Sequence, residues 1–264
     1  MDDFEIFVNK QLQSITHFSS KNNDGVAVGI LLDISESIKD MWATKIRAKN
    51  IAESLEIYAN KANPKNDNFL MVFGESQQVV VQPTNDKQKM LDSIHETPNI
   101  IRQGNTRLLD SLKVALDMIS KTRHQRKTLI VISDFADNSS KIGDSQIKEE
   151  VKRSSCIIYC VVIERDPPHS SPDHFLIRDL TEINGGRAFY PQTTRETSAA
   201  LFRIAEDNEY QYSIGFKPTQ LAETSKKDKW RAIDIKVKIP SNLNVKKKPI
   251  IRARRGFYPV QQTD

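Results

Sequence analysis

A chain of 264 residues with 28% charged and 38% hydrophobic side chains can bury a large core, as one domain or one domain with an appendage. It is too ordinary in composition for a disordered or fibrous protein. No apolar run approaches the roughly 20 residues of a membrane span, and no secretory leader is legible at the N-terminus. The net charge of +5 is modest for this size and does not by itself imply nucleic acid.

Residues 4–8 and 11–18 alternate in polarity and are separated by Asn9-Lys10. Asparagine tolerates positive φ, so the pair reads as a hairpin. A lone hairpin is not stable, and this one must pair with another part of the chain. Residues 19–25 form a polar linker. Residues 26–32 are continuously apolar, interrupted only by Gly29. The run is too short for a core helix and reads as a strand buried on both faces of a parallel sheet.

That run stops at Asp33, and Ser35 and Ser37 follow at every second position. A carboxylate and two hydroxyls so spaced converge only on a loop at the strand's carboxyl end, where open α/β sheets bind ligands. All three offer oxygen, which suits a hard cation, magnesium before calcium. On this stretch alone, Asp33 and Ser35 could equally cap the next helix.

Ile38, Met41, Trp42, Ile46, Ile51, Leu55 and Tyr58 recur at helical spacing through residues 38–60. A strand is expected at 68–74, an edge strand at 77–82, and amphipathic helices at 85–95 and 108–121. A second buried strand, 127–134, also ends in an aspartate, Asp134. Then come a helix at 144–153, a strand at 155–163 and a loop holding Pro167, Pro168 and Pro172. A helix at 174–183 stops at Asn184-Gly185-Gly186. A strand at 187–190 and a helix at 194–207 complete the series. Such alternation predicts an α/β fold with a doubly wound, mainly parallel sheet.

After Asn208 the rhythm changes. Residues 209–217, 230–239 and 249–257 alternate like antiparallel strands, joined by lysine-rich connections. They supply the partner the N-terminal hairpin lacks. The expected organisation is a hairpin at 1–20, an α/β domain at 25–207 and a β extension at 208–264, the two ends forming a small antiparallel β subdomain. Cys156 and Cys160 lie on one expected strand about 13 Å apart, beyond the ~7 Å reach of a disulfide, so two buried thiols are expected.

Asp33-x-Ser35-x-Ser37, Thr106 within Gly104-Asn105-Thr106-Arg107, and Asp134 together resemble the metal-ion-dependent adhesion site of von Willebrand factor A (vWA) domains. The resemblance implies a Rossmann-like vWA fold and one magnesium or manganese ion, with calcium weaker. Asp33, Ser35, Ser37, Thr106 and Asp134 would hold it, some through water. Glu36 and Phe135 stand where the family usually has glycine. With Asp137 they would form the rim that selects a partner, Glu36 adding charge and Phe135 bulk.

Asp3-Phe4-Glu5-Ile6, the 184–190 segment and Arg252-Ala253-Arg254-Arg255-Gly256-Phe257-Tyr258 also resemble a bacterial, acidobacterial-type group of vWA-related proteins. Its members are usually exported, which implies an extracellular or periplasmic protein. They usually begin further upstream, so this chain is expected to be a fragment or a processed form.

The expected function is a protein-binding module, not an enzyme, whose cation takes an Asp or Glu carboxylate of a partner protein. Ser35 or Ser37 as a nucleophile would need a base within reach, and no histidine falls in the neighbouring loops. Two alternatives stay open. One is a nucleic-acid binder using Lys226, Lys227, Lys246, Lys247, Lys248, Arg252, Arg254 and Arg255, which would show steep salt dependence. The other is a metal-dependent hydrolase with water as nucleophile. Residues 137–140 read as rim or as a capped turn. His169 and His174 read as surface side chains, since zinc needs more convergent ligands.

Overall fold

The computed structural model describes residues 3–20, 24–35, 45–97, 100, 104–163, 173–218, 229–239 and 249–259. In chain order its strands and helices begin with β1 (Phe4–Val8), β2 (Gln11–Gln13), β3 (Ile15–Ser19), β4 (Ala27–Asp33) and α1 (Lys45–Lys61). Next come β5 (Asp67–Phe73), β6 (Gln77–Thr84), α2 (Lys87–Glu96), α3 (Leu108–Ser120), β7 (Lys127–Ser133), α4 (Asp144–Arg153) and β8 (Ile157–Val162). The last are α5 (Asp173–Ile183), β9 (Arg187–Phe189), α6 (Thr194–Glu209), β10 (Ser213–Phe216), β11 (Arg231–Val237) and β12 (Gly256–Phe257).

The central sheet has the order β6-β5-β4-β7-β8-β9. All pairs are parallel except the β5–β6 edge. This is the α/β fold expected from the alternation. β4 lies between β5 and β7, so the strand order reverses beside it and opens a crevice at its carboxyl end.

Every residue of β4 is buried, and the pleat sends alternate side chains to opposite faces. Val28, Ile30 and Leu32 join Leu55 and Tyr58 of α1, Ile94 of α2 and Ile204 of α6. Ala27 and Leu31 join Leu112 of α3, Val151 of α4 and Leu180 of α5. Each large side chain so buried contributes roughly 1.5–3 kcal/mol. The helix ends follow local chemistry. The Thr193 side chain accepts from Glu196 N at 3.2 Å while Glu196 accepts from Gln192 N at 2.7 Å, a reciprocal cap that starts α6. The expected start of α1 at 38–44 lies outside the described residues.

Asn9 and Lys10 both take positive φ, 48° and 69°, the combination a tight two-residue hairpin turn requires. β1 pairs antiparallel with β2 and, on its other side, with β11, which in turn pairs with β12. Ile6 and Val8 are buried. The rings of Phe4, Phe18 and Tyr212 meet at 5.4–5.6 Å.

Three strand expectations change. The run 11–18 breaks at Ser14, and β3 pairs with β10 instead of continuing β2. The run 209–217 is shorter because α6 extends to Glu209. Of the run 249–257, only Gly256–Phe257 pairs as β12. Arg255 N instead donates to Ile183 O at 2.9 Å and Arg254 Nη2 to Lys152 O at 2.9 Å. Gly185, at φ +85°, lets this segment pass, since a Cβ there would sit 2.8 Å from the Ala253 backbone. Cys156 and Cys160 are buried free thiols. Among the described residues no helix is long and apolar enough to cross a membrane.

Candidate functional site

Asp33 closes β4 and Ser133 closes the neighbouring β7, one step beyond the Leu32–Ile132 pair. Asp33 is fully buried. Its Oδ1 accepts from Ser35 N at 2.9 Å and its Oδ2 from Ser133 Oγ at 2.5 Å. Ser133 Oγ in turn accepts from Phe135 N at 2.9 Å. Burial pushes the Asp33 carboxyl from 3.8 up to about 6. Hydrogen bonds from Ser133 and Ser35 oppose that rise, and repulsion from Asp134 adds to it. Asp134 is half-buried and its Oδ1 accepts from Ala136 N at 3.0 Å, an Asx-type turn that fixes the loop.

The loop carrying Thr106 is tied to the same edge. Thr106 is buried. Its N–H donates to Asn138 Oδ1 at 2.8 Å, and its carbonyl accepts from Asn138 N and Ser139 N at 3.2 Å. Arg107 N donates to Gly74 O at 3.0 Å, and Gly74 lies directly against the Ser35 backbone. The loops bearing Asp33 and Ser35, Thr106, and Asp134 therefore close on one another at the carboxyl edge of the sheet. Ser37 and Glu36 lie outside the described residues.

Phe135 is placed away from the expected rim, and Asp137 takes up the capped turn that is the other reading of residues 137–140. Phe135 is fully buried in the core beneath α3, α4 and α5. Its φ of +59° is a left-handed conformation that favours glycine. This turns the ring inward, away from the rim. Asp137 is held as a cap: its Oδ2 accepts from Leu109 N at 2.9 Å and from Ser140 Oγ at 2.6 Å, and its Oδ1 from Ser140 N at 3.0 Å. It supplies the cap that Arg107, at the N-cap position of α3, does not. Sequence reading missed Ser133, which braces Asp33, and read Asn138 only as part of a rim or capped turn, not as the residue that braces Thr106. The only signal was a hydroxyl and an amide adjoining Asp134 and Asp137.

Among the described residues no three His, Cys, Asp or Glu side chains converge as a metal cluster. What the closed loops bring to this edge is a set of residues with hard oxygens: the carboxylates Asp33 and Asp134 and the hydroxyl residues Ser35 and Thr106. That set fits a divalent cation that keeps part of its water shell. A cation there would offset the burial that opposes ionisation of Asp33. Of the basic residues considered for nucleic acid, Arg254 is half-buried and bonded to Lys152 O, and Arg255 pairs with Glu182 at 3.0 Å. Lys226, Lys227, Lys246, Lys247 and Lys248 lie outside the described residues, as does His169. His174 is exposed beside Tyr190.

Residues 28–136, which contain every candidate cation-holding residue, match the family described as von Willebrand factor type A domain. No curated protein sequence matches the chain. Among solved structures it is similar to a von Willebrand factor type A protein from Catenulispora acidiphila, at 15% identity and a TM-score of 0.59. That match covers 78% of this chain and 49% of the other, so the chain spans about half that protein's length. It is similar to an aerotolerance-related membrane protein from Bacteroides fragilis, at 16% identity and TM-score 0.55, covering 69% of this chain and 100% of that one. It is also similar to the vWF domain of the type V pili tip protein Mfa5 from Porphyromonas gingivalis, at 12% identity and TM-score 0.55, covering 69% and 94%. These likenesses show the fold: a vWA-type α/β sheet, here extended by antiparallel sheets from both termini.

Proposed function

We propose that the chain is a vWA-type protein-binding module that engages its partner through a divalent cation, magnesium or manganese, and performs no catalysis. The observation that supports this most directly is the pair Asp33 and Asp134 at adjacent strand ends, with Asp33 buried enough to push its carboxyl up to about 6. Asp33, Ser35, Thr106 and Asp134 would hold the ion, with Ser37 joining them by its spacing in the sequence. The bound ion would supply a positive centre for an Asp or Glu carboxylate of the partner.

The chain's own groups do the positioning. Ser133 and the Ser35 N–H orient the Asp33 carboxylate. Asn138 fixes the Thr106 backbone, and the Ala136 N–H holds Asp134. Two carboxylates balance a divalent charge, so an incoming carboxylate meets no large repulsion at the ion. A set with so few carboxylates disfavours calcium, which takes more oxygen ligands. The similarity to a pili tip protein and to a membrane protein supports an extracellular or periplasmic setting.

The test is affinity capture from the native source in magnesium and in EDTA, alongside magnesium titration calorimetry of wild type and Asp33→Ala. Partners released by EDTA and a lost calorimetric signal in Asp33→Ala are expected. Equal magnesium affinity in the two proteins would refute the site.

A further inference from the structure

Glu75 stands in the turn between β5 and β6, at the same edge of the sheet as Asp33. Its neighbour Gly74 touches the Ser35 backbone on one side, and Gly74 O accepts from Arg107 N at 3.0 Å on the other. The Glu75 side chain lies across Gly104, two residues before Thr106. A Cβ at Gly104 would sit 2.6 Å from Glu75 Oε2 and 3.1 Å from the Glu75 Cβ. Gly104 also holds φ +133°, a conformation side chains rarely adopt. The missing side chain at Gly104 thus leaves room for the Glu75 carboxylate against the loop that carries Thr106. Glu75 is exposed. Neither the spacing of Asp33, Ser35 and Ser37 nor that of Thr106 signals it, because it arrives from a different strand.

We propose that Glu75 sets the partner class: a protein segment whose aspartate or glutamate is flanked by lysine or arginine. This rests on the cation-dependent reading above. With Asp33 and Asp134 alone, a divalent ion is balanced. Glu75 adds one negative charge at this edge of the sheet, and exposed charges act over ~8–10 Å in physiological salt. That charge favours the cation and repels a purely anionic partner surface. A basic side chain beside the partner's carboxylate removes the repulsion and gains an ion pair with Glu75.

The test uses the full chain with Glu75→Gln and Glu75→Lys, both surface changes whose folding is checked by thermal melts. Magnesium alone is titrated at low ionic strength. The dissociation constant should rise about fivefold in Glu75→Gln and further in Glu75→Lys, the differences shrinking at high salt. The magnesium-loaded proteins then pass over two immobilised synthetic peptides, one aspartate flanked by lysines or by glutamates. Wild type should prefer the lysine-flanked peptide, Glu75→Gln should lose most of that preference, and Glu75→Lys should reverse it. An unchanged preference in both variants, or magnesium binding without capture of either peptide, overturns the partner class alone. Absence of magnesium binding in wild type overturns the cation reading and this inference with it.

Discussion

Ser133 Oγ donates to Asp33 Oδ2 at 2.5 Å, and this contact joins the last residues of two neighbouring parallel strands. The same oxygen accepts from Phe135 N, so one hydroxyl fixes the buried carboxylate and the turn that carries Asp134. Ser133→Ala would leave both groups without that partner in a buried place. Each such loss costs about 1–3 kcal/mol, so Ser133→Ala should destabilise the protein by about 2–4 kcal/mol in urea melts. An alanine variant as stable as wild type would show that the contact holds nothing.

The buried Asp33 makes stability depend on pH in a definite direction when no cation is present. Its folded value, about 6, lies above the ordinary 3.8. A raised folded value means its contribution is fully present below pH ~4 and is lost as pH rises through ~6. The difference corresponds to about 3 kcal/mol at neutral pH. In EDTA at pH 7.5, Asp33→Asn should therefore melt at a higher temperature than wild type, and at pH 4 the gap should close. Magnesium should stabilise wild type at pH 7.5, by about 2.7 kcal/mol at a hundred times its dissociation constant, and leave Asp33→Asn unmoved. Asp33→Asn melting below wild type in EDTA at pH 7.5 would contradict this account of burial.

Phe135 sets backbone strain against burial. Its φ of +59° costs roughly 1–2 kcal/mol for a residue with a side chain, while a buried ring lost to alanine costs about 3–5 kcal/mol. Both Phe135→Ala and Phe135→Gly should destabilise, but glycine relieves the backbone. Phe135→Gly should be the milder change by about 1 kcal/mol, the reverse of the order in a helix or strand. Chemical denaturation of the two variants decides it; an alanine variant at least as stable as the glycine one would remove the strain argument.

The fold was legible because buried parallel strands announce themselves as apolar runs, and two of those runs end in Asp33 and Asp134. The Asn9-Lys10 turn was legible because positive φ has a residue signature. The bracing of the site was not. Ser133 is the last residue of a strand, where a serine signals nothing until the adjacent strand brings Asp33 beside it. Glu75 reaches the edge only because β5 pairs with β4 and because Gly104 leaves it room. Phe135 read as bulk at the rim because spacing does not reveal a left-handed backbone. The arginines of residues 252–255 fit an alternating strand pattern, yet Arg254 and Arg255 bond to the ends of α4 and α5.

The N-terminal hairpin should prove part of the fold, because β1 is an interior strand of its sheet. It pairs with β2 on one side and β11 on the other, with Ile6 and Val8 buried and Phe4 against Phe18 and Tyr212. β3 likewise covers β10. Removing residues 1–19 would leave the pairing edges of β11 and β10 open. Unpaired edges invite pairing with another chain. The truncated protein should therefore elute as larger species in size-exclusion chromatography, under conditions where the full chain gives a single peak. Amides of Phe4–Val8 in the intact protein should exchange slowly with solvent, since β1 has a strand on either side. Rapid exchange there, together with a truncated protein that keeps the size and melting temperature of the full chain's α/β body, would show that the hairpin is not an integral strand of the sheet.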